Sequence, residues 1–492
     1  MSSKVAFYTL GCKLNFSETS SIGQQFIKNG FNVVNYDDHA DVYVINTCTV
    51  TENADRECRQ IVRRALRNNP NAYVIVTGCY AQLRPDEILK IDGVDAVLGS
   101  NEKFKLFEYI NDFEKKNVAC EYVTPTENLT EFNSSFAVEG NERTRAFFKI
   151  QDGCDYKCSY CTIPLARGKS RSAKPDVVVK EFNQLVESGF KEIILTGVNV
   201  GDYYFESENE IYTSNQNINL THNHNLDHNL TLTHNHNLTH NLDHNHNHTL
   251  THDLTPTNDS PNSIKEKFDF YLLLKKILNE VDGDYRIRIS SIEPNLLSDE
   301  IIELTKNDER MCNHFHIPLQ SGNDKILKLM QRRYTSEDYK TLIQKLVREI
   351  ENIAIGVDVI VGFPGETDED FLVTYNFLRD LPISYLHVFT YSERPNTKAI
   401  NLNGNVDQAT RKKRNNMLRI LSEKKRMEYY RKMMGKNLTA IFEHENHDGF
   451  MKGFTENYVR IKMPYNSELI NKFVQVKIKE IDENICTAEL IS

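Results

Sequence analysis

The chain has 492 residues, 39% of them hydrophobic and 26% charged, with a formal net charge of −10, 21 Gly and 13 Pro. That is enough for roughly two to four domains with sizeable cores, and it excludes a collagen, a mucin-like stalk and a wholly disordered chain. No apolar run approaches ~18 residues, so a membrane helix is excluded, and the opening MSSKVAFYTLGCKLN lacks the parts of a signal peptide; a soluble, cytoplasmic protein is expected.

The first region, 3–117, alternates short apolar runs (VAFYTL, FNVV, DVYVINT, YVIVTG, DAVLG) with helical patterns. Between the third and fourth runs, Cys58, Ile61, Val62, Ala65 and Leu66 share one helical face. This rhythm predicts an α/β fold with a doubly wound parallel sheet. A polar stretch around 124–141 reads as a linker. The second region, 140–402, repeats the rhythm through AFFKIQ, EIILTGV, YRIRISSI, FHIPLQ, AIGVDVIVGF and YLHVFTY. Six such units predict a partial (β/α) barrel of TIM type, with its active site at the strands' C-terminal ends.

Within that region an insert, 207–263, becomes a degenerate repeat of Asn, His, Leu and Thr, and ten of the chain's 16 histidines fall between His222 and His252. So little apolar surface cannot offset its ordering entropy, and a disordered loop is expected. The other reading is loose binding of Zn, Ni or Cu by alternate histidines.

A helical connector, 403–433, follows. From Asp407 to Lys436 eleven Lys/Arg face three Asp/Glu, a net charge of +8. Arg411, Lys412, Lys413, Arg414, Lys424, Lys425 and Arg426 are the candidates for RNA phosphates; an ordinary solvated helix is the other reading. The last region, 434–492, has short alternating strands and reads as a small β-barrel. It is not basic: from Met433 onward there are seven Lys/Arg and nine Asp/Glu.

Ten cysteines are too sparse for a disulfide scaffold. Cys154, Cys158 and Cys161, spaced C-x-x-x-C-x-x-C after the first barrel strand, can hold three corners of a 4Fe–4S cubane and leave one iron open to a substrate. Structural zinc normally takes four ligands in two separated pairs. Tyr160 is expected beside a bound cofactor. Thr196, Gly197, Ser291, Gln320 and Gly362 fall at predicted strand ends, as cofactor contacts or as turn chemistry. A second set, Cys12, Cys48 and Cys79, follows three predicted parallel strands, so the sheet gathers them at one edge, where they could again hold a cluster with an open iron; buried apolar cysteine is the other reading of each. Cys58, Cys120, Cys312 and Cys486 have no partner at ligand spacing.

Two three-cysteine sets, with the doubly wound domain ahead of the barrel, resemble the radical S-adenosylmethionine methylthiotransferases. TLGCKLN, NTCTVTENADR, KIQDGCDYKCSYCTIPLARG, SSIEP and HFHIPLQSGN look most like the branch acting on tRNA that carries N6-threonylcarbamoyladenosine beside the anticodon. Branches acting on isopentenyladenosine or on a ribosomal-protein aspartate usually read Glu-Gly-Cys where this chain has Asp152-Gly153-Cys154. One departure is Asn396, where the family commonly has Gly.

The resemblance implies an auxiliary-cluster domain, a radical S-adenosylmethionine core and a C-terminal RNA-binding TRAM domain. It implies two 4Fe–4S clusters, with Cys12, Cys48 and Cys79 handling sulfur. Cys154, Cys158 and Cys161 would serve cleavage of S-adenosylmethionine to a 5′-deoxyadenosyl radical that activates C2 of the adenine. A second S-adenosylmethionine would supply the methyl group, and the partners would be the tRNA anticodon stem-loop and an electron donor such as flavodoxin or ferredoxin. Two alternatives stay open: a methylthiotransferase for isopentenyladenosine tRNA or a ribosomal-protein aspartate, and, in another class, an iron–sulfur electron carrier.

Overall fold

A computed structural model of the chain describes residues 3–48, 52–115, 118–138, 144–208 and 265–491. The expected disordered, His-rich stretch of the insert lies outside the described residues; around it, Tyr204–Glu208 pairs with Lys265–Asp269. No helix among the described residues is long and apolar enough to cross a membrane.

The first strands are β1 (Lys4–Thr9), β2 (Asn32–Val34), β3 (Val42–Thr47), β4 (Tyr73–Gly78), β5 (Ala96–Leu98) and β6 (Cys120–Tyr122). They form a parallel sheet in the order β2-β1-β3-β4-β5-β6. The chain reverses direction across the sheet between β1 and β3, which is where open α/β sheets bind ligands. β3 and β4 are buried at every residue because successive side chains feed two cores. Val42 and Val44 pack with Ile22 and Phe26 of α1 (Lys13–Lys28), while Tyr43 and Ile45 pack with Cys58, Ile61 and Val62 of α2 (Glu52–Asn68). Cys58 is thus core filling. The short helix α3 (Cys79–Leu83) leaves the end of β4.

Two strands depart from the expectation. Cys120 lies in β6, a three-residue edge strand too brief to show a pattern. The stretch read as a linker contains β7 (Ser135–Val138), which pairs antiparallel with the first barrel strand, β8 (Arg145–Lys149). After β8 come α4 (Ile163–Arg167), α5 (Pro175–Glu187), β9 (Glu192–Thr196), α6 (Phe270–Glu280), β10 (Arg286–Ile289), α7 (Asp299–Asn307) and β11 (His314–His316). Then follow α8 (Ser336–Glu349), β12 (Ala354–Val361), α9 (Asp368–Asp380) and β13 (Tyr385–Thr390).

β10-β9-β8-β7 and β11-β12-β13 are the two hydrogen-bonded sheets, joined by the bridges Ile287–Met311 and Ser291–His316. The six parallel strands therefore make an open, partial barrel around one apolar core. The helix starts are capped by Asp269, Ser298, Thr335 and Thr367, the last two in reciprocal boxes with Asp338 and Asp370, each worth ~1 kcal/mol. The long helix α10 (Gln408–Met433), capped by Asp407, leads to β14 (Asn437–Phe442), β15 (Phe450–Thr455), β16 (Arg460–Pro464), β17 (Phe473–Asp482) and β18 (Ile485–Leu490). These close into a barrel in the order β14-β15-β16-β18-β17.

Candidate active site

The loop after β8 carries Cys154, Cys158 and Cys161 onto the rim of a cavity of about 670 Å³. Local hydrogen bonds set the loop's shape: Cys154 N–H donates to Gly168 O (3.1 Å) and Cys161 N–H to Cys158 O (3.2 Å). Ser159 ties it to the helix beyond β11 through Leu329 O (2.8 Å) and Met330 O (3.0 Å). Each sulfur receives an N–H: Tyr156 N–H on Cys154 (3.4 Å), Arg332 Nη1 on Cys158 (3.2 Å) and Ile163 N–H on Cys161 (3.4 Å). Burial pushes the thiols of Cys154 and Cys161 up to about 12 and raises that of Cys158, against the pull of these donors. Donors already aimed at sulfur suit thiolates on a cluster, where they compensate negative charge.

Among the described residues, no three His, Cys, Asp or Glu side chains converge on a single metal ion. The cavity wall also suits a polar cofactor. Asn199 and Gln320 line it, yet the side-chain amide atoms of Asn199 and Oε1 of Gln320 are buried without a hydrogen-bond partner. Gln320 sits at φ +70°, a conformation that non-glycine residues rarely hold outside functional sites.

Of the six cofactor-contact candidates, Tyr160, Ser291 and Gln320 line the cavity; Thr196, Gly197 and Gly362 do not. Thr196 is buried. A Cβ on Gly197 would meet Gln151 Oε1 at 2.7 Å, and one on Gly362 would meet Arg411 Cγ at 2.3 Å, so both glycines make room for neighbouring side chains. Asn199, Arg332 and Asp358 line the cavity and carried no sequence signal, since each reaches it from a loop or strand whose facing the motif spacing does not fix; Glu293, also on the wall, lies within the SSIEP motif. Arg332 also ion-pairs with Glu293 and donates to Tyr334 Oη (3.0 Å).

The second cysteine set lies at the ends of β1, β3 and β4. Cys12 stands at the N-cap position of α1 and is exposed; Cys48 and Cys79 are buried. Two glycines permit the approach. A Cβ on Gly11 (φ +101°) would stand 2.7 Å from Cys48 Cβ, and one on Gly78 (φ +96°) 2.3 Å from Thr47 O. Asn15 binds both loops, donating to Leu10 O (2.8 Å) and Thr47 O (2.9 Å).

The basic helix requires a correction. Arg411, Arg414 and Lys425 are buried and occupied. Arg411 pairs with Glu393 (3.1 Å), Arg414 with Glu366 (2.7 Å) and Asp368 (2.8 Å), and Lys425 donates to Leu381 O (2.7 Å). They fasten α10 to the barrel and are withdrawn from phosphate contact. Lys412, Lys413 and Lys424 are exposed, and Arg426 is half-buried. Aromatic groups of the terminal barrel are likewise engaged: Arg145 lies 4.6 Å over Phe454, Arg288 5.0 Å over Tyr458, and His314 stacks on Tyr458 at 4.4 Å.

Residues 4–99 match the model for Uncharacterized protein family UPF0004, and residues 148–378 that for the Radical SAM superfamily. The Threonylcarbamoyladenosine tRNA methylthiotransferase MtaB of Bacillus subtilis (strain 168) is 36% identical over 478 residues, spanning 96% of this chain and 93% of that protein. Its counterpart from Aquifex aeolicus (strain VF5) is 37% identical over 479 residues, 96% of this chain and 100% of that one. The chain belongs to the methylthiotransferase family. Like that family it is a radical S-adenosylmethionine enzyme, with S-adenosylmethionine and two 4Fe–4S clusters as cofactors. Among solved structures, the radical S-adenosylmethionine methyltransferase TsrM from Kitasatospora setae shares the fold, with a TM-score of 0.51 and 16% identity over 81% of this chain and 75% of that one.

Proposed function

We propose that this methylthiotransferase acts on C2 of N6-threonylcarbamoyladenosine at position 37 of tRNA, giving 2-methylthio-N6-threonylcarbamoyladenosine. The observation that carries this reading is end-to-end likeness to enzymes named for that nucleoside, at 36% and 37% identity. Relatives named for N6-dimethylallyladenosine reach 30% and 29%.

In this reading Cys154, Cys158 and Cys161 hold one cluster, and Cys12, Cys48 and Cys79 the other. The barrel cluster, when bound, would supply the electron that splits S-adenosylmethionine into methionine and a 5′-deoxyadenosyl radical. Tyr160, from the cysteine loop, and Asn199, Ser291 and Gln320, from just beyond strand ends, orient the cofactor from the cavity wall. Tyr160 is itself held against Phe363, ring centroids 6.3 Å apart. Lys412, Lys413, Lys424 and Arg426 meet tRNA phosphates. A flavodoxin or ferredoxin supplies electrons in the cytoplasm.

Anaerobically reconstituted protein should hold about eight irons, as two cubanes. Replacing Cys154, Cys158 and Cys161 with Ala should remove one cluster and all 5′-deoxyadenosine formation. Replacing Cys12, Cys48 and Cys79 with Ala should leave 5′-deoxyadenosine detectable under strong reductant while methylthiolated nucleoside disappears from tRNA digests by mass spectrometry. Methylthiolated product from the second variant would overturn the division of labour, and product on isopentenyladenosine alone would overturn the substrate.

A further inference from the structure

A group of five charged side chains lies fully buried between the two cysteine sets, and the mechanism above does not use it. Arg167, the last residue of α4 and six past Cys161, donates through Nη1 to Glu18 Oε1 (2.8 Å) and Asp152 Oδ1 (3.0 Å). Its Nη2 reaches Glu18 Oε2 (3.1 Å) and Asn15 Oδ1 (2.9 Å). Glu18 also pairs with Lys103 (2.6 Å) and Lys149 (3.3 Å), and Lys149 with Asp152 (3.1 Å). None of the five is more than 4% exposed.

Two features need a reason. First, the charges do not cancel: Lys103, Lys149 and Arg167 bring +3 against −2 from Glu18 and Asp152, leaving +1, and Arg171 at the rim, 3.3 Å from Asp152, adds to the surplus. A surplus cation sealed from water is costly unless an anion stands near. Second, the Arg167 fork ends on Asn15, the side chain that ties the loop before Cys12 to the loop before Cys48. A 4Fe–4S core of charge +2 on three thiolates carries −1, and −2 after one-electron reduction. That is the missing anion.

We propose that Arg167 is a positioning residue for the cluster on Cys12, Cys48 and Cys79, and that the surplus positive charge of Arg167, Lys103 and Lys149 balances that cluster and raises its reduction potential. The inference rests on the assignment of a cluster to those three cysteines. Asn15 Oδ1, which accepts from Arg167, also lies 3.8 Å from Cys12 Sγ, so a single side chain separates the guanidinium from the set. Positive charge beside a cluster favours its more negative, reduced form.

The test uses full-length protein with Cys154, Cys158 and Cys161 replaced by Ala, reconstituted anaerobically so that only the N-terminal cluster contributes. Its midpoint potential is read by a redox titration followed by electron paramagnetic resonance. Arg167→Gln and Lys103→Gln should each retain about four irons and show a more negative potential, while Arg167→Lys stays near the parent. Loss of the cluster in Arg167→Gln, with normal circular dichroism and retention in Arg167→Lys, also supports the positioning role. Should Arg167→Gln fail to fold, Lys103→Gln carries the test. Parent potential and iron content in the Gln variants would overturn the proposal, as would an Arg167→Lys shift equal to that of Arg167→Gln. If the background protein binds no cluster at all, the assignment of the cysteines falls first and this inference with it.

Discussion

Asn396 holds φ at +66°, in the left-handed region where a Cβ normally meets the following carbonyl. The family resemblance leads to the expectation of Gly there, and asparagine is the side chain that best tolerates the conformation because it bonds locally to backbone. The loop geometry therefore survives the departure. Asn396→Ala should lower stability by about 1–2 kcal/mol in chemical denaturation, while Asn396→Gly should stay within about 0.5 kcal/mol of the parent. Equal loss in both would mean that the Asn side chain, not the backbone, secures the loop. At this scale Cys154, Cys158 and Cys161 stand out by their spacing, and Cys12, Cys48 and Cys79 by their places after three parallel strands. The cavity wall is only half legible: Ser291 and Gln320 line it and Thr196 does not, although all three sit at strand ends. Being near a strand end fixes height in the barrel, not which way the side chain faces.

Along α10 the charge count conceals two helical faces. Arg411, Arg414, Leu418, Leu421, Lys425 and Tyr429 recur at spacings of three and four and are all buried, so three of the cations belong to the packing stripe. Periodicity read over apolar residues alone misses this, because the long stems of Arg and Lys fill the same stripe. Lys412 and Lys413 face water. Changing both to Gln should weaken tRNA binding and reduce the slope of log affinity against log salt by about 1.4–1.8, at unchanged melting temperature. Arg414→Gln should do the reverse. It leaves Glu366 buried beside an uncharged amide and should cost about 3–5 kcal/mol of stability, with the salt slope of any folded protein unaltered. A shared loss of salt slope would put Arg414 on the RNA after all.

At the scale of the whole molecule, the order of the three modules is readable from the rhythm of strands and helices. Their docking is not, because it depends on residues far apart in sequence. Both junctions are built on buried carboxylates. Glu18 and Asp152 join the first sheet to the barrel, and Glu192, paired with Arg286 (2.6 Å) and Arg288 (2.8 Å), sets these arginines against the carbonyls of Thr439, Phe454, Thr455 and Glu456 in the terminal barrel. Burial alone would raise all three carboxyls, yet the surrounding cations overcome it: Lys103, Lys149 and Arg167 around Glu18, Lys149 and Arg167 at Asp152, Arg288 and Arg286 at Glu192. Each is held well below the usual carboxylate range.

A carboxyl depressed in the folded state stabilises above its unfolded value, about 4, and that contribution is lost as pH falls through the folded value. Stability should therefore be level from pH 8 to pH 5 with respect to these groups and fall below about pH 4, at about 1.4 kcal/mol per pH unit for each carboxyl. The chain has no Trp, so far-UV circular dichroism is the suitable probe. Glu192→Gln separates the junctions. It leaves Arg286 and Arg288 buried without their anion, so it should cost about 3–5 kcal/mol at pH 7. It should also make the acid slope shallower by about 1.4 kcal/mol per pH unit, because one titrating group has gone. An acid slope identical to the parent's would mean that Glu192 does not contribute to acid unfolding.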